Sequence, residues 1–141
     1  MKNPNISEYK GDVETALKNG DFGQVLLLNG VSNDFIKKLP SSDDTKTVDA
    51  NEIFPYSYSL LKIRSPFRIG VQKIKVFKIA DIVTRDAFDE EKFKNLIVAF
   101  CKNFKHSLTL LPISGALCSY SRKIEEVLNK NVIGAKFIII R

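Results

Sequence analysis

The chain has 141 residues, 44% of them hydrophobic, with a formal net charge of +6. That length supports one hydrophobic core, so a single domain over 1–141 is expected, and its longest apolar runs fall far short of the roughly 20 residues a membrane span needs. Two cysteines and one histidine exclude a disulfide scaffold and leave no zinc-ligand spacing.

Taken in chain order, Ser7 reads as an N-cap with Tyr9, Val13, Ala16 and Leu17 at helical spacing behind it. Asn19-Gly20 supplies the stop, which predicts a helix over 7–19. The apolar run 24–29 between Gly23 and Gly30 predicts a buried strand. Ser32 or Asn33 caps a short helix that ends before Pro40. Residues 40–52 are polar and turn-rich and read as a mobile loop, with a short strand near 45–48. Two strands, 57–64 and 70–79, flank a loop containing Pro66 and Gly70, which predicts a hairpin. Asp86 reads as the cap of the strongest helix, where Phe88, Phe93, Leu96, Ile97, Phe100 and Phe104 form one apolar stripe. A buried strand at 108–113, a helix opened by Ser119 or Ser121, and an apolar strand at 136–140 complete the chain.

These elements predict an α+β (mixed α/β) fold built on a single mixed sheet. Residues 23–113 have a ferredoxin-like β-α-β-β-α-β order, preceded by the N-terminal helix. From Leu108 onward a βαβ extension follows, with parallel strands.

Charge is segregated along the chain. Residues 1–55 hold six Lys against nine acids, and residues 56–141 hold sixteen Lys and Arg against seven. A composition of 17 Lys, 15 Ile and 10 Asn accounts for the amount of lysine but not for its placement. The densest cluster is Lys62, Arg64, Arg68, Lys73, Lys75 and Lys78. If Arg64 pairs with Val71, Lys62 stands opposite Lys73, with Lys75 beyond and Arg68 at the tip. Directly opposed like charges cost up to about 1 kcal/mol, so such a face points to a nucleic acid or another polyanion. Phe67 and Phe77 are candidates to stack on bases. The second strand lacks the aromatic consensus of an RNA-recognition motif. Solvent-facing lysines also keep sheet edges from associating, which is the competing structural explanation.

A second candidate lies at 114–122. A loop leaving the carboxyl end of a buried parallel strand is where open sheets place ligands. Here it would offer Ser114, Gly115, Ser119, Ser121 and Arg122 to a phosphorylated small molecule, as in an enzyme or sensor. Cations in a helix's first turn oppose its dipole unless an anion is present. No phosphate-loop motif accompanies them.

Cys101 reads as a core residue. Cys118 and His106 flank one strand at its opposite ends, too far apart for a nucleophile–base pair. The acids Asp43, Asp44, Asp49 and Glu52 read as solvated loop residues. No catalytic signature, cofactor or metal follows. A polar N-terminus predicts an intracellular protein without a secretory signal. The lead expectation is a small binding or accessory protein for a polyanion. The alternatives are the ligand-binding reading and a subunit of a homo-oligomer or larger assembly that pairs through a sheet edge.

Overall fold

The computed structural model describes residues 3–39, 46–49, 57–64, 71–85 and 87–141, and of 46–49, 57–64 and Val71 it describes the backbone. The described elements are Ile6–Tyr9 (β1), Val13–Asn19 (α1), Gln24–Leu28 (β2), Asn33–Lys37 (α2), Lys46–Asp49 (β3), Ser57–Arg64 (β4) and Val71–Ile79 (β5). They continue with Val83–Thr84 (β6), Ala87–Phe88 (β7), Glu90–Asn103 (α3), Leu108–Pro112 (β8), Ser121–Asn131 (α4) and Lys136–Ile140 (β9). A 3-10 turn at Gly115–Tyr120 precedes α4.

Seven strands form one sheet in the order β1-β9-β8-β2-β5-β4-β3. The first five are mutually parallel, and β4 and β3 add antiparallel steps at one edge. β2 is buried at all five positions because it has parallel neighbours on both edges and packing on both faces. Alternation along the strands divides the core in two. Leu26, Leu28, Phe77, Leu111 and Phe137 pack with residues of α3 and α4. Val25, Leu27, Ile74, Val76 and Leu110 pack with Val13, Ala16 and Leu17 of α1.

Mixed α/β is therefore the class, but the ferredoxin-like arrangement is not. The strand at 46–49 adds a second antiparallel pairing between α2 and β5. Two reversals bring β5 back parallel to β2, whereas the single reversal of the ferredoxin-like order would have left it antiparallel. The βαβ extension from Leu108 is present, with β8 and β9 parallel neighbours.

The expected helix over 7–19 is corrected at its first half. Ile6–Tyr9 pairs with Phe137–Ile140 as a parallel edge strand. Gly11, at φ 153°, allows the turn that follows. Asp12 is the N-cap, its carboxylate accepting from Thr15 N–H at 2.9 Å. A similar shift applies at 86. Asp89 caps α3 by accepting from Lys92 N–H at 3.0 Å, and Asp86 itself lies outside the described residues. Before that cap, β6 and β7 form a small ribbon held by Asn29. Its Oδ1 accepts from Ile82 N–H and Val83 N–H at 2.8 and 3.0 Å, and its Nδ2 donates to Val83 O at 2.6 Å.

Of the 40–52 loop, 40–45 and 50–52 lie outside the described residues, and 46–49 is β3. No described helix is long and apolar enough to cross a membrane. The parallel sheet gathers the amino ends of five strands at one end of the molecule, together with the described loops that lead into β1, β2, β8 and β9.

Candidate anion-binding groove

Those loops enclose a groove of about 740 Å³ lined by residues before β1, β2, β8 and β9 and by the start of β5. Backbone hydrogen bonds tie each loop to its neighbour. His106 N–H donates to Gly134 O at 2.6 Å, Lys136 N–H to Ser107 O at 3.0 Å, and Gly23 N–H to Leu108 O at 3.0 Å. His106 follows α3 in the left-handed region at φ 63°, a conformation in which His is enriched.

Beneath the rim a polar layer closes the core. The Gln24 Oε1 accepts from Ser107 Oγ at 2.6 Å and from Thr109 Oγ1 at 3.3 Å. Gln72 Nε2 donates to Phe22 O at 2.9 Å, which fixes the orientation of that amide and leaves its buried Oε1 without a hydrogen-bond partner.

Three basic side chains line the groove, Lys73, His106 and Lys136, all exposed, with Asp21 the acid among the lining residues. The lysines come from strands 63 positions apart in sequence, and His106 from the loop between them. Helix α3 runs back across the sheet to bring its C-terminal end, and His106 with it, to this rim.

The hairpin register assumed from the sequence is observed. Arg64 pairs with Val71, and Lys62 stands directly opposite Lys73 in the ladder. The side chains of Lys62 and Arg64 are outside the description, and Phe67 and Arg68 lie outside the described residues altogether. Lys75 is partly buried, with its ammonium 5.5 Å from the centroid of the Phe104 ring. Phe77 is fully buried against Phe100 and Phe104 and cannot stack on a base. Lys78 is exposed at the carboxyl end of β5, away from this groove, beside a smaller apolar pocket.

The 114–122 segment sits where the sheet topology changes direction. β2 and β8 are neighbours, and their onward chains diverge, toward β5 and toward β9. The crevice between their carboxyl ends is closed by the protein's own loops. Ala116 N–H donates to Gly30 O at 3.0 Å, and Ser32 N–H to Ser114 Oγ at 3.3 Å. Gly115 is so close that an added Cβ would lie 2.7 Å from Gly30 O. Ser121 Oγ accepts from Arg141 Nη1. Ser119 and Arg122 are exposed. Ser114 and Ser121, on either side of the turn, thus each have a protein partner.

Cys118 is exposed just past the carboxyl end of β8, and His106 lies before its amino end. Cys101 is buried in the core, and that burial pushes its thiol above the ordinary cysteine range. No group of three or more His, Cys, Asp or Glu among the described residues is placed to hold a metal.

Sequence reasoning missed Lys136 and His106 as neighbours of Lys73. The usable signal was the alternation of strands and helices, since parallel strands put all their entry loops at one end. The fold and the groove together define a mixed α/β protein with a basic opening at the amino end of a parallel sheet. Comparison with protein-family models and with curated proteins finds no match to this chain.

Proposed function

We propose that the chain is a binding protein for nucleic acid, which it holds by its phosphates at the basic end of the sheet. One observation carries this reading: Lys73, His106 and Lys136, from separate parts of the sequence, line the same groove, and Lys73 lies on the strand whose ladder partner carries Lys62 and Arg64. Phosphate contacts of this kind are electrostatic and release counterions, so affinity should fall steeply with salt.

The test is fluorescence anisotropy with labelled RNA and DNA from low to physiological salt. Lys73→Glu with Lys136→Glu should weaken binding by at least about tenfold and flatten the salt dependence. No measurable affinity at low salt, or affinity indifferent to both reversals, would end the proposal.

A second reading draws support from the topology alone. The neighbouring carboxyl ends of β2 and β8 mark a switch point, where open sheets bind small ligands. A phosphorylated small molecule there would rest on Ser119 and Arg122 and would require the Ser32–Ser114 contact to open. Thermal stabilisation by a nucleotide or sugar phosphate, lost in Arg122→Ala, would support it. A flat response across such a panel would not.

A further inference from the structure

Beside the basic end, the C-terminal half of α3, the last turn of α4 and the loop before β9 frame a second, smaller groove of about 280 Å³. Its lining includes Val98 and Ile133, which are 45% and 77% exposed. Among the described residues only one other large hydrophobic, Ile36, is exposed. Single exposed apolar residues need no explanation, and here two of the three lie in one groove rather than apart. Lys102, Lys105 and Lys130 also line it, and no acid does. None of the three takes part in the described ion pairs, which use Lys18, Lys92 and Arg141. The floor is the buried Cys101, a small uncharged side chain.

Lysine at a helix C-terminus offsets the helix dipole, and that alone would account for Lys102 and Lys130. It does not account for Ile133, held out in solvent at the loop that follows α4. We propose that this groove docks an acidic segment of a protein partner. An aliphatic or aromatic side chain of that segment packs against Val98 and Ile133, and flanking carboxylates meet Lys102, Lys105 and Lys130. A buried apolar anchor with a charged rim is the arrangement of a protein interface. Nucleic acid fits less well, because the aliphatic centre offers no flat face for a base. A lipid surface fits less well too, because it calls for a broad apolar face and not a small concave one.

The inference rests on residues apart from Lys73 and Lys136, so it can fail without the nucleic-acid reading failing. Displayed random peptides of about a dozen residues are selected on the wild-type chain after subtraction on Ile133→Ser. An apolar residue flanked by Asp or Glu is the expected consensus. A synthetic copy should lose about tenfold or more in affinity for Ile133→Ser and for Lys102→Glu with Lys105→Glu. It should bind Lys73→Glu with Lys136→Glu as it binds wild type. A selection that yields no acidic consensus overturns the proposal, as does a peptide indifferent to Ile133→Ser. It is equally overturned if duplex DNA, or vesicles containing phosphatidylserine, bind wild type and are released by Ile133→Ser while the peptide is not.

Discussion

The ammonium of Lys75 sits 5.5 Å from the centroid of the Phe104 ring, at the C-terminal end of α3. One of the hairpin's lysines thereby helps seal the core, and a charge reversal there confounds binding with stability. Lys75→Met keeps the aliphatic stem and removes the charge over the ring, at an expected cost of about 0.5–1 kcal/mol in urea denaturation. Lys75→Glu should cost more, because it turns a carboxylate toward the negative face of the ring. Equal stability of wild type and both variants would refute the contact. Lys73 and Lys136, both exposed, are the cleaner positions for testing a ligand.

Gly115 and Gly134 separate conformational strain from collision. Both have positive φ, 60° and 77°, but an added Cβ at Gly115 lies 2.7 Å from Gly30 O and 2.9 Å from Ser32 N, and at Gly134 it meets nothing within 4 Å. Gly134→Ala should lose roughly 1 kcal/mol from the left-handed conformation alone. Gly115→Ala should lose at least about 1 kcal/mol more, since both obstructing atoms are backbone. Thermal unfolding of the two variants side by side checks the order. If Gly134→Ala is the worse, the packing of the 114–116 turn on the 30–32 turn is wrong.

Asp12 gives a pH dependence with a definite sign. Hydrogen bonds from the Thr15 backbone N–H at 2.9 Å and hydroxyl at 2.7 Å hold its carboxyl below the ordinary value of 3.8. A group depressed in the folded state stabilises fully above its unfolded value, and the benefit fades as pH falls through the folded one. Wild type should therefore outlast Asp12→Ala in urea near neutral pH, and the gap should close in acid, as the pH falls below the ordinary value of 3.8. A gap that widens in acid would contradict the cap.

The two thiols should react at different rates. Cys118 is exposed and Cys101 is buried, with its thiol pushed up by that burial. An aromatic disulfide reagent should release one equivalent promptly from the native protein and the second only on unfolding, because the thiolate is the reacting form. Cys118→Ser should abolish the prompt phase. Two prompt equivalents would place Cys101 at the surface.

What the sequence determined by itself is local. The run of buried residues in β2, the stripe from Phe93 to Phe104, the caps at Ser32 and around Asn19-Gly20, and the hairpin register of β4 with β5 all follow from periodicity, turn chemistry and pairing across a short loop, whereas Phe88, read as part of that stripe, lies in β7 ahead of the helix. It misread Ile6–Tyr9, because a four-residue edge strand has almost no signal of its own and becomes a strand only when β9, about 130 residues later, supplies its partner. Strand direction was equally hidden. A few residues at 46–49 decide whether β5 runs with β2 or against it, and no side chain in β5 records the answer. The candidate groove depends on that same fact. Lys73 was visible as part of a basic hairpin, but its meeting with His106 and Lys136 exists only because parallel strands bring distant entry loops to one end. Phe77, on the same strand parity as Lys73, was removed from that surface by α3, whose position over the sheet is a property of tertiary packing and not of the strand.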